Sequence, residues 1–443
     1  MKKNDTFTAV CSGYTFEGAG VVHAGDMVFF VPGLIAGEEA ELAITAMKKN
    51  YGYARIVKLL KKSEHRRKRG CSVYRQCGGC QLMHMDLQEQ HTFKEDKVRN
   101  CFRQNAGMDI DVLPILYTPE QTAYRNKVQV PVQFSHGQVK MGFYRNRTNE
   151  IVEFDRCLVQ TDLSNDITAD FRQWLNELRC ADEFRHVLLR HAHISGQVMI
   201  CMIVRHYPFR NADELVKRIE RKYPQVKCIS CIVNRREDNV ILDGKEIILS
   251  GPGYIEEQLL GRTFRISARS FFQINPYSTA LLYSKAIEAA GLTGQETVID
   301  LYCGTGTIGI LAAASAKQVY GIEIVEDAIK DAEINAAANG VTNIEFMAAD
   351  AGTGARKLEK NRIKPDVVIV DPPRKGCTKD TLDAIIRMAP QRLVYVSWDP
   401  ATLARDCAYL QHQGYSVMSV QPVDMFPGTL HVEDIVLLQK QNA

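Results

Sequence analysis

The sequence predicts an α/β protein with a doubly wound, Rossmann-like C-terminal domain, an N-terminal β-barrel and a mixed central domain. Three observations support this fold class. Strands and helices alternate along residues 263–443, as in a parallel sheet covered by helices. Residues 1–60 contain short strands separated by Gly, Pro and Asp turns. Residues 61–262 mix strands with helices near 163–178 and 211–223.

Length and composition exclude several classes of protein. A chain of 443 residues is too long for one ordinary core, so two or three domains are expected. No apolar run could span a bilayer, and "MKKNDTFTAV" lacks the apolar stretch of a secretion signal. Thirteen cysteines in such a chain indicate reduced thiols or metal ligands, not disulfides. We therefore expect a cytoplasmic protein without membrane contact, and nothing demands more than a monomer.

The N-terminal domain has the pattern of an OB-like barrel, in segments such as "GDMVFFVPG" and "EEAELAITAMKKNYGYARIVKLL". Barrels of this kind commonly hold single-stranded nucleic acid. The run "KLLKKSEHRRKRG" at 58–70 carries seven Lys or Arg residues against one Glu. It is either a solvated linker between domains or a strip that contacts phosphates.

Three cysteines at the start of the central domain have the spacing of metal ligands. The stretch "CSVYRQCGGC" places Cys71, Cys77 and Cys80 in a C-x5-C-x2-C pattern, and its two glycines let the chain wrap tightly. Cys157 of "EFDRCLVQ" is a candidate for the fourth thiolate. Four thiolates suit either zinc or an iron–sulfur centre, and the spacing does not separate the two.

A second C-x2-C pair, "KCISC", contains Cys228 and Cys231 within a strand pattern. Side chains alternate between the two faces of a strand, so these sulfurs point largely apart. We expect this pair to be buried thiols. The cysteines without any partner pattern, which we expect to be core or surface thiols, are Cys11, Cys101, Cys180, Cys201 and Cys407.

A Gly-rich loop and two carboxylates at strand ends predict a nucleotide-like cofactor site. The stretch "DLYCGTGTIG" at 300–309 joins a strand to a helix, and glycines such as Gly304 let the backbone approach a ligand. Glu323 ends the next strand, where an acid can accept ribose hydroxyls. Asp350 ends the third strand, where it can meet an adenine amine. This order fits S-adenosylmethionine better than NAD, although the glycine spacing alone does not choose.

The fourth strand of this domain ends in "DPPRKG", which begins at Asp371. This pattern is typical of methyltransferases that act on nucleobases and not of dehydrogenases. The alternative is that the Gly-rich loop is an ordinary strand-to-helix turn. We favour a Rossmann-like methyltransferase domain that binds S-adenosylmethionine.

Nearly the whole chain resembles the uracil-5 RNA methyltransferases of the RumA/TrmA type, especially the bacterial 23S rRNA enzymes. The resemblance rests on the cysteine set and on "SFFQINP", "DLYCGTGTIG", "DPPRKG", "ATLARD" and "HVE". It implies a TRAM barrel at 1–60, a central domain with a [4Fe-4S] cluster at 61–262 and a methyltransferase domain at 263–443. The implied cluster ligands are Cys71, Cys77, Cys80 and Cys157. The implied cofactor contacts are Gln273, Tyr302, Glu323, Asp350 and Asp371.

The resemblance also implies a substrate and a reaction. Enzymes of this family act on a uridine that is flipped out of folded RNA, and 23S rRNA is favoured because the barrel and the cluster accompany the rRNA branch. A cysteine thiolate adds to uracil C6, so that C5 can attack the methyl group of S-adenosylmethionine. A base then removes the C5 proton. The position of that base is kept here as Glu433 of "HVE".

The position of the nucleophile departs from the family pattern. The family has "SCNP" or "SCDP" before "ATLARD", whereas this chain has "SWDP", with Trp398 in place of the cysteine. An indole cannot add to C6 as a thiolate does. The chain can be a methyltransferase that has lost its nucleophile, or one that uses Cys377 of "DPPRKGC" instead. It can also be a non-catalytic RNA-binding protein in which Trp398 stacks on a base, or Trp398 can simply close the site.

Overall fold

The computed structural model of the protein describes residues 1–135 and 137–441. These residues form a closed barrel, two seven-stranded sheets and a two-stranded hairpin. No helix in these two ranges is both long enough and apolar enough to cross a membrane.

Alternating burial closes the N-terminal barrel. Phe29, Val22 and Leu42 point inwards and are fully buried, because each strand turns every second side chain towards the interior. The strands are β1 (Thr6–Tyr14), β2 (Ala19–Ala24), β3 (Met27–Pro32), β4 (Glu39–Met47) and β5 (Tyr51–Lys61). Their spatial order is β1-β2-β3-β5-β4. The predicted barrel is therefore confirmed.

Part of the basic run at 58–70 attaches the barrel to the following segment. Arg66 forms an ion pair with the buried Glu38, and its Nη2 donates to the carbonyl of Gly33 at 2.8 Å. Arg67 Nη2 lies 2.8 Å from a carboxylate oxygen of Asp86. At least two of the seven cations thus have structural partners, which favours the linker interpretation for this part of the run.

The second sheet forms the middle of the chain. Before it come helix α1 (Leu87–Cys101) and a π-helical turn (Phe102–Ala106). Its strands are β6 (Lys127–Ser135), β7 (Gln138–Tyr144), β8 (Ile151–Glu153), β9 (Phe184–His191), β10 (Val198–Val204), β11 (Val226–Val233) and β12 (Lys245–Ser250). Their order is β12-β11-β10-β9-β6-β7-β8. Helices α2 (Asp162–Glu177) and α3 (Ala212–Lys222) pack Phe171 and Leu215 into one core on this sheet, which confirms the two predicted helices.

The rival cysteine pair lies in β11, as the strand pattern predicts. Cys228 and Cys231 are both fully buried. Cys228 belongs to the core on one face of the sheet and Cys231 to the core on the other face. The two sulfurs therefore face apart, and neither takes part in a metal site with the other.

The C-terminal part is the predicted doubly wound sheet. A hairpin of β13 (Tyr254–Leu259) and β14 (Arg262–Ser267) leads into it. Its strands are β15 (Thr297–Leu301), β16 (Gln318–Glu323), β17 (Ile344–Ala348), β18 (Val367–Val370), β19 (Arg392–Ser397), β20 (Tyr415–Val423) and β21 (Glu433–Lys440). Its helices are α4 (Pro276–Ala290), α5 (Thr307–Ala312), α6 (Glu326–Ala338), α7 (Ala351–Lys360), α8 (Lys379–Met388) and α9 (Pro400–Gln411).

The strand order of this sheet places a ligand crevice at a defined edge. The order is β17-β16-β15-β18-β19-β21-β20, and the first five strands are parallel. The chain changes direction across the sheet between β15 and β18, and α/β sheets bind ligands beyond the carboxyl ends of the strands at such a point. Val298, Val368 and Val394 are fully buried, because helices cover both faces.

Helix α1 is joined to the C-terminal sheet by buried charges. Lys94 is fully buried, and its Nζ donates to Asp424 Oδ1 at 2.6 Å and to the carbonyl of Phe426 at 3.2 Å. His91 Nε2 lies 3.3 Å from the other carboxylate oxygen of Asp424. Charges this deep persist only when they are paired. Helix α1 falls in the range predicted for the central domain, yet it is anchored to the C-terminal sheet. The predicted domain bounds stay a prediction.

We expect Lys94→Met to lower the free energy of unfolding by about 3–5 kcal/mol, because it leaves the Asp424 carboxylate buried without its cation. Urea denaturation at pH 7 measures the loss. The control is Arg103→Met, which removes an ion pair to Asp109 whose side chains are 59% and 84% exposed. The control should cost less than about 1 kcal/mol, and an equally small loss for Lys94→Met would contradict the role of the buried pair.

Candidate functional site

The loop between β15 and α5 has a backbone that admits a ligand closely. Tyr302 and Gly306 adopt left-handed conformations, with φ of 64° and 79°. A Cβ atom on Gly306 would lie 2.9 Å from the ring of Phe346, so only glycine fits there. At Gly304 a Cβ would meet no atom within 4 Å, which leaves the backbone open towards a ligand.

A cavity of about 30 Å³ lies beside this loop, at the carboxyl ends of β15 and β18. Three of the residues predicted to contact the cofactor line it, namely Tyr302, Gly304 and Asp371. Phe272 and Tyr283 supply further aromatic walls. Gln273 is buried, and its carbonyl accepts a hydrogen bond from Asn126 Nδ2 at 3.0 Å, which ties this wall to the central sheet.

The two acids predicted to bind the nucleoside lie at neighbouring strand ends. Glu323 closes β16, and its carboxylate accepts from the backbone N–H of Gly304 at 3.2 Å and of Val325 at 3.0 Å. Asp350 follows β17, and its Oδ1 accepts from the N–H of Gly352 at 3.1 Å, which caps α7. Glu323 is thus held against the Gly-rich loop, and the capping bonds of Asp350 use only one of its two carboxylate oxygens.

Two carboxyl groups near the cavity have raised pKa values, the fully buried Asp300 and the half-buried Asp371. Asp300 is fully buried, its Oδ2 accepts from the Gly309 N–H at 2.8 Å, and burial raises its pKa to about 8. Burial also raises the pKa of Asp371 to about 7. The pKa of the Tyr283 hydroxyl is raised well above its ordinary value, first by burial and then by the Asp371 charge. These groups favour the neutral form and can hold a proton near neutral pH.

Glu433 begins β21 and has the environment of a general base. It is 3% exposed, and its Oε2 has no hydrogen-bond partner among the residues that the structure describes. Its pKa is raised well above its ordinary value by burial, and further by the charges of Asp371 and Asp434. When such a carboxyl group is ionised, its raised pKa makes it a stronger base towards a substrate proton.

Trp398 lies directly after β19, between two functional segments. The Arg374 guanidinium of the "DPPR" turn sits over the indole, 4.0 Å from its ring centroid. His431 precedes Glu433 by two residues, and its ring centroid is 6.4 Å from that of Trp398. Because β19 pairs with β18 on one side and β21 on the other, the indole stands between the turn carrying Asp371 and the segment carrying Glu433.

The structure does not favour Cys377 as a substitute nucleophile. It is 5% exposed, and its backbone N–H donates to Tyr395 Oη at 3.2 Å and to Asp406 Oδ2 at 2.8 Å. Burial raises the pKa of its thiol to about 12. Since the thiolate is the nucleophilic form, a thiol in this environment is inert. Cys377 is a core residue behind the site.

The other cysteines do not supply a nucleophile here either. All thirteen are among the described residues; nine are buried, and the remaining four line a different cavity. Cys303 lines the cofactor cavity, but burial raises the pKa of its thiol well above its ordinary value. The position that offers a thiolate in the family is therefore not replaced by a neighbouring thiol.

The four predicted cluster ligands surround a second cavity, of about 90 Å³, and they are Cys71, Cys77, Cys80 and Cys157. Burial raises the pKa of the Cys80 thiol to about 12. Within residues 1–135 and 137–441, no group of three or more His, Cys, Asp or Glu side chains lies close enough to hold a single metal ion. The four cysteines line one cavity.

Sequence reasoning missed Tyr283, Asp300 and Asp434. Tyr283 lies on α4 outside any motif, so no local signal marks it. Asp434 follows Glu433 directly, is fully buried and has two carboxylate oxygens without a hydrogen-bond partner among the described residues. It pairs with Ser397 across β19 and β21, next to Trp398. Its adjacency to "HVE" was the one available clue.

The Gly-rich loop, the acids at successive strand ends and the sheet order together define a class, the Rossmann-like methyltransferases. A family model described as tRNA (uracil-5-)-methyltransferase matches residues 86–441. The chain belongs to this family. The predicted enzyme class, an RNA (uracil-5-)-methyltransferase, is thereby confirmed.

Relatives resemble the chain over its full length. An uncharacterized RNA methyltransferase of Clostridium acetobutylicum is 40% identical and covers 99% of this chain and 98% of its own. One from Bacillus cereus is 41% identical, with the same coverage. The solved structure of the Pyrococcus abyssi tRNA (uracil-54, C5)-methyltransferase, in complex with S-adenosyl-L-homocysteine, superposes with a TM-score of 0.76 at 27% identity. It covers 97% of this chain and 99% of its own, which confirms the predicted fold class and supports S-adenosylmethionine as the cofactor.

The raised pKa of Asp371 predicts a pH-dependent stability. Between about pH 4 and pH 7 the folded chain keeps a proton that the unfolded chain has lost, so the free energy of unfolding falls as pH rises. Asp371→Asn removes this penalty. Relative to the unchanged chain, we expect the variant to gain roughly 2–4 kcal/mol between pH 5 and pH 8.

Urea denaturation of both proteins at the two pH values measures this gain. Asp109→Asn serves as the control, because the Asp109 side chain is 84% exposed. Identical pH profiles for the unchanged chain and Asp371→Asn would show that the Asp371 carboxyl group titrates as it does in the unfolded chain.

Proposed function

We propose that the site is built to methylate C5 of a uridine in folded RNA, and that Trp398 limits this reaction in the present chain. S-adenosylmethionine is the methyl donor and 23S rRNA the substrate. One observation carries the proposal. The cofactor and base positions of the family meet at one sheet edge, while Trp398 stands between Arg374 and His431 at the position of the missing thiol.

Residues at the ends of β15 to β18 would hold the cofactor. The open backbone at Gly304 and the carboxylate of Glu323 would receive the ribose, and the carboxylate of Asp350 would receive the adenine amine. Tyr302 and Asp371 border the same space, and together with Gln273, which follows the cavity residue Phe272, they would hold the remainder. When bound, the cofactor supplies an electrophilic methyl group.

Glu433 would move the proton in this reaction. Uracil C5 becomes nucleophilic only after a group adds to C6, which in the family is a thiolate. Once C5 has taken the methyl group, its hydrogen leaves as a proton to the carboxylate of Glu433, and the bond at C6 breaks to release the added group. Among the described residues no group donates to Oε2 of Glu433, so this oxygen is available to take the proton.

Trp398 cannot perform the first step. The lone pair of the indole nitrogen belongs to the aromatic ring, and its N–H keeps its proton at any working pH. No bond to C6 forms, so C5 must attack without activation. The buried Cys377 does not replace the thiolate, and the reaction of this chain is therefore much slower than that of a chain with cysteine at 398.

The substrate is assigned by the resemblance and by the domains around the site. The resemblance to the bacterial 23S rRNA enzymes carries the choice of rRNA. The fold does not distinguish the two RNAs, because a tRNA (uracil-54, C5)-methyltransferase matches 97% of this chain. Folded RNA is recognised by shape and by splayed-out bases, which suits a barrel positioned beside a catalytic domain. We place the protein in the cytoplasm, as a monomer.

The four cysteines fit an iron–sulfur cluster better than zinc. Four thiolates can hold either zinc or an iron–sulfur centre, and the resemblance to the family favours a [4Fe-4S] cluster. The four cysteines that line this cavity would hold it. The cluster would cross-link Cys157 to the loop of Cys71, Cys77 and Cys80.

Trp398→Cys should raise the rate of methyl transfer by on the order of 10³-fold or more, because it restores the thiolate that activates C5. The assay follows labelled methyl groups from S-adenosylmethionine to a 23S rRNA fragment. Robust turnover by the unchanged chain would contradict the proposal.

Two further variants sharpen this assay. Cys377→Ser in the Trp398→Cys background should leave the rate unchanged, because Cys377 lies behind the site. If Trp398→Cys gains nothing and Trp398→Ala weakens RNA binding by about 1–3 kcal/mol, the binding role of Trp398 by base stacking is favoured instead.

Cys80→Ser should abolish the visible absorption of the purified protein and its content of about four irons per chain. Cys228→Ser is the matched control, because its sulfur is buried in the central sheet away from the cavity, and it should keep both. A colourless unchanged protein that carries zinc would contradict the cluster.

A further inference from the structure

An irregular segment, residues 424–432, connects β20 to β21 and delivers His431 and Glu433 to the site. We call it the strap. It contains no helix or strand, yet residues 424–429 are buried. Buried irregular backbone needs specific partners for its N–H and carbonyl groups. The partners of the strap therefore determine where Glu433 lies.

The loop that carries the cysteines supplies one set of partners. The backbone N–H groups of Gln81 and Leu82 both donate to the carbonyl of Gly428, at 3.1 Å and 2.9 Å. The Gln81 side chain accepts from the Leu430 N–H at 3.4 Å and donates to the Gly78 carbonyl at 2.8 Å. Gly78 lies between Cys77 and Cys80. Gln81 is thus hydrogen-bonded to the cysteine loop and to the strap at once.

The strap also forms part of the cysteine cavity. Thr429 lines this cavity, and so does Tyr124. Tyr124 is buried, and its hydroxyl donates to the carbonyl of Pro427 at 3.1 Å. The position of the strap therefore depends directly on the residues that surround the four cysteines.

Helix α1 holds the strap from another direction. Gln90 Oε1 accepts from the Gly428 N–H at 2.8 Å, and Lys97 Nζ donates to the Leu430 carbonyl at 2.9 Å. The buried pair of Lys94 and Asp424 fixes its first residue. Helix α1 and the cysteine loop both bind Gly428 and Leu430. A disturbance of the loop therefore reaches the strap at these two residues, as well as at Pro427 and Thr429.

The far end of the strap borders the position of the nucleophile. The His431 ring centroid lies 6.4 Å from that of Trp398 and 5.9 Å from that of Phe426. Glu433 follows two residues later. A shift of the strap at Leu430 would therefore move both the neighbour of residue 398 and the candidate base.

We propose that Gln81 is a positioning residue that couples the four-cysteine loop to the active site through the strap. Gln81 does not line the cofactor cavity. Its backbone N–H binds Gly428, and its side chain joins Leu430 to Gly78. A substitution at Gln81 therefore tests the side-chain link alone. The proposal deepens the proposed function, because it rests on the role of Glu433. The test measures the surroundings of Trp398 separately from catalysis. The coupling through Gln81 and the proposed methyl transfer can therefore fail independently.

The chain supplies its own probe, since it has only two tryptophans. In a Trp174→Phe background, the emission of Trp398 reports on its contact with His431. We expect Gln81→Met to shift this emission to longer wavelength and to increase its quenching by acrylamide. Gln81→Glu should shift it less, because a carboxylate still accepts from the Leu430 N–H. Metal content is measured on the same purified proteins.

The kinetic arm uses the Trp398→Cys background. Gln81→Met should lower kcat at least about tenfold, because small displacements of a base are costly, while KM for S-adenosylmethionine stays unchanged. Gln173→Met is the control in both arms, as it removes an exposed hydrogen bond to Glu177 on α2.

The outcomes are distinct. Unchanged Trp398 emission in Gln81→Met overturns the proposal, whatever happens to the melting temperature. If Gln81→Met also loses affinity for S-adenosylmethionine, the proposal is overturned, because the substitution then disturbs the whole site and not the strap alone. If Trp398→Cys shows no methyl transfer at all, the proposed function fails, and the emission arm still decides the coupling.

Discussion

The pairing of β18, β19 and β21 is the constraint on which the site depends. These strands bring Asp371, Trp398 and Glu433 from separate parts of the chain to one edge of the sheet. Strands β18 and β19 are parallel, and β21 runs antiparallel to β19. The carboxyl ends of β18 and β19 therefore lie beside the amino end of β21. Chemistry at this edge follows from that arrangement, because each side chain is fixed by a strand end that is itself fully packed.

Burial at this edge has an energetic cost that other contacts offset. Asp371, Glu433 and Asp434 lie close together in an apolar surrounding that disfavours their charged forms. The strap leads into Glu433, and α1 holds the strap through bonds that include the ion pair of Lys94 and Asp424. Carboxyl groups that favour their neutral forms thus lie beside a scaffold that contains a paired buried charge.

Much of the fold follows from local patterns in the sequence. The alternation of strands and helices, the barrel and the opposite faces of Cys228 and Cys231 are set by side-chain periodicity and by turn residues, which are local. The packing of α1 against the C-terminal sheet is not local. It depends on Lys94 meeting Asp424 across 330 positions, and no periodicity reveals such a pair.

The site divides in the same way. Residues within motifs, such as Glu323 and Asp371, could be proposed from sequence because the chemistry is carried by short patterns next to strand ends. Tyr283 and Gln81 could not, since their partners come from distant segments. Cys377 shows the opposite error: proximity in sequence to Asp371 suggested a nucleophile, but the turn folds its thiol into the core.

Covalent trapping tests the central claim most directly. RNA containing 5-fluorouridine at the target position is incubated with S-adenosylmethionine and either the unchanged chain or Trp398→Cys, and denaturing electrophoresis with mass spectrometry detects a protein–RNA adduct. Our account predicts an adduct with Trp398→Cys and none with the unchanged chain, because only the thiolate bonds to C6. An adduct with the unchanged chain, mapped to any of its own residues, would contradict it.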